Sequence, residues 1–528
     1  MNIHNTEMNL DLSKKTKEEL LVICEQLGIV KCKSKTKNVL MDLIHNHHHD
    51  VGSDVGSDVG SNDVELIVDD LNLNLNMNLN TNTKCCDEVD VEALKNDGLK
   101  NEKKSGGDSD VLTVAETFVG CGGSHFGFKK SGYKSVFVND IWLDSIKTLQ
   151  QNDADLKENE VICDDIYAIN EEYLKNRNID ATNVDVFIGG VVCKGFSLAG
   201  IRNPYDERNY LYLQQLRLVG IMRPKISIIE NVPGMLNMKI LTRNNNEEIK
   251  KLCTTLNDVC EKHKKVRGRL IAEKKKLAGF VEVVGGGGGG GGGNELVLLH
   301  KTIENTKKEM DDLVQQRKEL ELGLDEYKYS VVQHIEQIYD QLGYDVYKQV
   351  LMCSDYGCFT NRQRLFIVAV RKDLGIQWVY PEPFTKDKDC KPTVKDAFDL
   401  IDYEGINHPT IDVDNRPMNH SSSTVEKFKK IASGGKSADG YFSRGTSSRL
   451  AYDKPAPTLV PGHSAFQIHP VEHRSITIRE GATITGFDTN FKFYGSHSSR
   501  CMQIGNAIPI NMAYVMAEQC KKMLQSAI

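Results

Sequence analysis

Val111-Leu112-Thr113-Val114-Ala115-Glu116-Thr117-Phe118-Val119-Gly120-Cys121-Gly122-Gly123 is the stretch that decides the fold. A short apolar run, Val111 to Ala115, leads into a glycine-rich turn, and a helical run follows it. Glycines in such a turn let the backbone bend tightly and come close to a ligand. The helix N-terminus behind them favours a negative group such as a carboxylate. Further short apolar runs follow at Val136–Val138, Val184–Ile188 and Ile226–Ile229, each ending at a polar or glycine-rich turn. Helical segments separate them, which predicts an α/β fold with a parallel sheet. Ligands of such sheets sit beyond the carboxyl ends of the strands.

The chemistry-bearing residues fall at those ends. Asn139-Asp140 closes the second run and Asp165-Ile166 follows the third strand. A glycine turn and then two acids at successive strand ends suit a cofactor with an adenosine moiety, although either acid alone also reads as a helix cap or a solvated loop residue. Gly189-Gly190-Val191-Val192-Cys193-Lys194-Gly195-Phe196-Ser197 comes next. Lys194 and nearby amides can lower the Cys193 pKa and raise its thiolate fraction. A buried filler is the ordinary reading of a cysteine, but these glycine-rich, polar flanks are ill suited to a core. Glu230-Asn231-Val232-Pro233 directly follows Ile229, so its acid projects into the same cleft unless it serves only as a salt bridge. In Asn361-Arg362-Gln363-Arg364 two alternate arginines enter the apolar strand Leu365–Val368 and point the same way. They either face one anionic or carbonyl-rich ligand or make a solvated basic strand end. A thiol, an acid and a guanidinium together fit methylation of cytosine. Carbon 5 becomes nucleophilic only when a thiolate adds at carbon 6, and an acid at nitrogen 3 stabilises the developing charge.

In this order the residues resemble the carbon-5 cytosine methyltransferase family over about Val111 to Gly234 and Tyr344 to Leu524. The resemblance implies an S-adenosylmethionine-dependent, Rossmann-like α/β sheet with a smaller target-recognition domain. Its cofactor residues would be Phe118, Gly120, Gly122, Gly123, Asp140, Ile141, Asp165, Ile166 and Asn506, the last within Gln503–Pro509. Its catalytic residues would be Cys193, Glu230, Arg362 and Arg364, acting on a cytosine flipped out of double-stranded DNA. Arg474 to Phe487, with Thr477, Arg479 and Glu480, resembles a further block of the family. The chain departs from the family at Val191-Val192-Cys193-Lys194, where Pro-Pro-Cys-Gln is usual, and this removes two fixed φ angles. Thr360 stands where the family has Gln.

The rest of the chain frames this unit. Residues 13–44 read as two short helices around the basic turn Lys31–Lys37, which resembles a SAP domain or else a helical hairpin for protein contacts. Residues 45–110 form an acidic low-complexity linker, with fifteen acids and five bases between Asp50 and Asp110. Without it the formal charge of −7 becomes weakly positive, so a DNA partner is not excluded. The catalytic domain spans 111–371, the target-recognition region 372–455, and the closing motifs 456–528. Between 239 and 326 two heptad seams flank the glycines Gly285 to Gly293, which predicts a helical hairpin, either a tolerated insertion or an arm for nucleic acid or a protein partner. Lys427, Lys429, Lys430, Lys436, Arg444 and Arg449 are expected to serve DNA phosphates. The fourteen scattered cysteines include no pair of CxxC units, so no metal is expected. No apolar stretch is long enough for a membrane and the N-terminal residues, with no basic region followed by an apolar run, do not read as a secretory signal, so an intracellular protein is expected. A transfer-RNA cytosine methyltransferase, and a DNA-binding protein that has lost catalysis, are the alternatives.

Overall fold

The computed structural model describes residues 111–191, 207–242, 247–284, 293–385, 390–436, 448–459 and 466–526. The module expected at 13–44, the acidic linker, the glycine run up to residue 292, Arg444 and the loop carrying Val192, Cys193 and Lys194 lie outside them.

Strands and helices alternate as β1 (Thr113–Thr117), α1 (Gly123–Lys130), β2 (Lys134–Asn139), α2 (Leu143–Asn152), β3 (Val161–Ile162), α3 (Glu171–Asn176), β4 (Val186–Gly189), α4 (Leu211–Met222) and β5 (Ile226–Asn231). Burial explains their unbroken apolar runs. Ala115, Phe137, Phe187 and Ile229 face one core cluster, whereas Val114, Val186, Ile188 and Ile228 face the other. Successive side chains of a strand point to opposite faces, so a strand covered by helices on both sides must be apolar at every position.

After β5 the strands β6 (Lys239–Leu241) and β7 (Lys328–Ser330) pair antiparallel and frame a helical hairpin, α5 (Glu247–Val284) and α6 (Gly293–Gly323). Then follow α7 (Val331–Gln341), β8 (Tyr344–Met352), β9 (Thr360–Asn361) and β10 (Gln363–Arg371). The main sheet has the order β3-β2-β1-β4-β5-β10-β8. Strands β3 to β5 are parallel as the sequence pattern implies, but β10 runs against both β5 and β8. The physical reason is the short link from Met352 to Gln363. Parallel neighbours need a crossover of a dozen or more residues, and a tight link allows only a reversal.

The C-terminal part comprises α8 (Val394–Phe398), α9 (Ser422–Lys429), β11 (Ala456–Pro457), α10 (Ile478–Thr485), α11 (His497–Asn506) and α12 (Ile510–Gln525). Strand β11 pairs with β9 and ties this part to the arginine motif. Helix α12 returns to the sheet so closely that a Cβ added at Gly127 of α1 would stand 2.5 Å from the Ala513 Cβ.

Candidate active site

The carboxyl ends of β1, β2 and β3 form one rim. Phe118 and Gly120 follow β1 with φ of 53° and 57°, and Gly122 has φ of 98°. A left-handed non-glycine residue such as Phe118 is uncommon, and such strain clusters at binding sites. A Cβ added at Gly120 would meet nothing within 4 Å, so the loop faces open space there. Its N–H donates to Asp140 Oδ2 at 2.8 Å, while Asp140 Oδ1 accepts from Trp142 N at 2.8 Å. Burial pushes the Asp140 carboxyl upward against the amides of Trp142, Gly120 and Ile141, which favour its charged form. The fixed carboxylate beside the glycine loop keeps lone pairs for a further hydrogen-bond donor. Ile141, 68% exposed, sets an apolar side chain on the same rim. Asp165 is exposed and accepts from Tyr167 N at 3.1 Å, capping a short turn. Ile166 is turned inward: its side chain lies in the core, and its carbonyl accepts from Arg217 Nη2 at 3.0 Å.

The final motif closes this rim from behind. A Cβ at Gly123 would lie 2.4 Å from the Ile508 carbonyl oxygen, so glycine is required where the two segments touch. Cys121 Sγ contacts the Gln503 carbonyl at 3.6 Å. Asn506 is exposed, and its carbonyl accepts from Arg362 Nη2 at 3.3 Å. Arg362 Nη1 donates to the Gly505 carbonyl at 2.8 Å. Arg362 is thus buried as a tie between β10 and the end of α11.

Arg364 behaves differently. Its Nε lies 2.7 Å from Glu230 Oε1, with both side chains largely shielded. The pairing of β5 with β10 brings them together, since Glu230 stands opposite Phe366. Glu230 Oε2 turns toward Gly190, 3.7 Å from where a Cβ would stand, and the Phe118 carbonyl lies 3.5 Å from the same point. Gly190 therefore sits between the strained glycine-loop residue and the acid, three positions before Cys193. Asn231, which sequence reasoning passed over, donates from Nδ2 to the Val191 carbonyl at 3.0 Å and holds the start of the cysteine loop. Its place beside Glu230 at a strand end was the available signal. Gln215 was also missed; it is fully buried, receives the Thr117 hydroxyl, and would collide with any Cβ on Gly189.

Among the described thiols, Cys163 is exposed just beyond β3, where burial and then Asp140 raise its pKa, and those of the core are shielded. Burial pushes Cys121 and Cys520 far up and Cys501 up to about 12. A hydrogen bond from Cys358 lowers Cys353, but that thiol is completely buried. One expectation for the recognition region needs correction. Arg449 is not a phosphate contact: it is 4% exposed, and its guanidinium donates to the carbonyls of Phe428, Ile431, His469 and Glu472. Five fixed donors make one arginine an economical way to satisfy several buried carbonyls. Arg479 is likewise committed, with Asp412 Oδ2 2.7 Å away, and Arg474 grips both oxygens of Glu480 at 2.8 Å.

A strand-end glycine loop with a buried acid beside it, and an acid–arginine pair next to Gly190, thus lie at the carboxyl ends of one sheet. A family model of C-5 cytosine-specific DNA methylases matches residues 112–260 and 322–522, and the chain belongs to that family. It is 25% identical to the type II methyltransferase M.DdeI of Desulfomicrobium norvegicum over 77% of this chain and 88% of that one. It is 26% identical to M.Eco47II of Escherichia coli over 79% of this chain and 80% of that one. Among solved structures it resembles a protein described as a DNA modification methyltransferase encoded within an Escherichia coli prophage. That likeness has a TM-score of 0.49 and 21% identity, over 78% of this chain and 99% of that one. The chain is a DNA (cytosine-5-) methyltransferase with S-adenosylmethionine as its cofactor. No helix among the described residues is long and apolar enough to cross a membrane.

Proposed function

We propose that methyl transfer proceeds through a covalent adduct between Cys193 and a cytosine flipped out of duplex DNA. The observation that carries this reading is the Glu230–Arg364 pair, whose free Oε2 faces Gly190 at the base of the cysteine loop. The glycine loop, Asp140 and Ile141 would hold S-adenosylmethionine, which when bound supplies the methyl group as an electrophile. The Cys193 thiolate donates an electron pair to cytosine C6, and the ring electrons move toward C5 and N3. Glu230 Oε2 shares a proton with N3 and offsets the charge that collects there. Arg364 fixes the Glu230 carboxyl through its other oxygen, and its guanidinium would also hold the cytosine carbonyl. C5 takes the methyl carbon, the electron pair of the broken sulfur–methyl bond leaving with the thioether product; C5 then loses its proton to solvent, and the C6–S bond breaks to return the thiolate. Asn231 positions the loop through the Val191 carbonyl, and Arg362 positions the closing motif rather than the base. This reading makes residues 372–455 the region that chooses the target, and residues 13–44 a second contact to DNA.

The test is incubation of the purified protein with tritiated S-adenosylmethionine and mixed-sequence duplex DNA, with transfer RNA in a parallel reaction, followed by digestion to nucleosides. Label in 5-methylcytosine is the expected result. Label only in transfer RNA, or none with cofactor binding intact, contradicts the reading.

A further inference from the structure

The hairpin between β6 and β7 carries a charge distribution that methylation itself does not use. Between Lys262 and Lys276, helix α5 has eight lysines and arginines and one glutamate. The family match stops at residue 260 and resumes at 322, so this segment lies outside the match.

The helix sorts its faces cleanly. Val259, Val266 and Leu270 are buried, the first two packing with Leu313 and Met310 of α6. At 100° per residue, Lys264, Lys265, Gly268, Ala272, Lys275 and Lys276 fall on the opposite, outer face, and all six are exposed. Of its cations, Lys264 has Glu261 at 3.6 Å in an exposed pair. Among the described residues no carboxylate pairs with Lys265, Lys275 or Lys276. Glycine is a poor helix former, and a Cβ at Gly268 would meet nothing within 4 Å, so packing against α6 does not require it. A bare backbone between four lysines allows close approach of an extended polyanion.

The root of the arm is firm. Leu241, Ile249, Leu256 and Leu324 close a cluster there, and Thr242 N donates to the Tyr327 carbonyl at 2.9 Å. That root follows Glu230 and Asn231 of the active site by one short turn and strand. The basic segment is about 21 Å long at 1.5 Å per residue, matching about six base pairs at 3.4 Å each.

We propose that the outer face of α5, centred on Lys264, Lys265, Lys275 and Lys276, binds the phosphate backbone of duplex DNA beside the methylation site. The proposal rests on duplex DNA being the substrate of the same chain. Charge complementarity selects this occupant: apart from the exposed Lys264–Glu261 pair no carboxylate among the described residues neutralises the face, which is regular along the helix axis and free of large apolar side chains except Ile271 at its border.

The experiment compares the full chain with a Lys264→Ala, Lys265→Ala, Lys275→Ala, Lys276→Ala variant. Binding is read by fluorescence anisotropy on duplexes of about 12 and about 36 base pairs, the longer one spanning the site and the arm's reach, over a salt series. Alanine is the best helix former, and an unchanged far-UV spectrum confirms the hairpin. The wild type should gain affinity on lengthening, and the variant should lose at least about tenfold of that gain. Its slope of log affinity against log salt on the long duplex should be shallower by about 3 to 4, at about 0.9 per phosphate. Lys→Arg at the same positions should restore both. An unchanged slope in a protein that methylates DNA overturns the proposal alone. So does a variant unchanged on DNA but weakened toward polyglutamate, which would point to an acidic protein. An α5-dependent slope in a protein that transfers no methyl group to DNA overturns the methylation reading and leaves the surface standing.

Discussion

Replacing His125 tests how the cofactor loop is supported. His125 in α1 lies with Nδ1 2.9 Å from Glu116 of β1 and Nε2 2.7 Å from Asp153 at the end of α2. All three are nearly inaccessible to solvent. Lys129 also reaches Asp153, and Ser124 donates to the second Glu116 oxygen at 2.6 Å. Burial opposes a charge on the imidazole, but the hydrogen bonds to Asp153 and Glu116 outweigh it and raise His125 to about 9. A group whose folded pKa exceeds its unfolded value of 6.5 stabilises fully below about pH 6.5 and loses that contribution as pH rises through about 9. At 1.36 kcal/mol per unit this is about 3 kcal/mol. His125→Gln keeps an amide N–H donor for one of the two acids but cannot carry the charge. Urea unfolding of both proteins should therefore show a wild-type advantage of about 3 kcal/mol at pH 6.5 that shrinks toward pH 10. Because Glu116 and Ser124 bracket the glycine loop, S-adenosylmethionine affinity should fall in the variant as well. Parallel stability profiles for the two proteins over this range would refute the reasoning.

Other perturbations reach different parts of the site. Arg364→Met removes the partner of Glu230 and should lower kcat by about 10²- to 10⁴-fold, the range of a lost acid–base function, as measured by methyl transfer under saturating cofactor. Gly123→Ala forces a methyl group into the Ile508 carbonyl and should destabilise the fold by about 1–3 kcal/mol, with weaker cofactor binding by calorimetry. Removing residues 1–110 should weaken binding to duplex DNA in an anisotropy titration, and unchanged affinity would deny the N-terminal module that role.

Much of this site was legible because it is local. The apolar runs at Val111, Val136, Val184 and Ile226 name their strands, and the residues after them fall on one rim by the geometry of a parallel sheet. What escaped depends on distant partners. The arginines of Asn361–Arg364 look equivalent in sequence, yet Arg362 serves carbonyls more than 140 residues away while Arg364 meets Glu230. Arg449 reads as a surface cation until its four carbonyl partners are seen from two separate segments. The reversal of β10 follows from link length rather than from its own residues, which are as apolar as those of β5. His125 carries no sequence signal, since its two acids stand 9 and 28 residues away.

The central claim is that Cys193 attacks the base, and trapping tests it most directly. Duplex DNA containing 5-fluorocytosine, incubated with the protein and S-adenosylmethionine, cannot lose a proton from C5, so the adduct should persist. The account predicts a denaturant-stable protein–DNA complex whose nucleotide-bearing peptide contains Cys193, and its loss in Cys193→Ser, which should still bind S-adenosylmethionine. A trapped complex in the serine variant, or an adduct on any other cysteine, would contradict it.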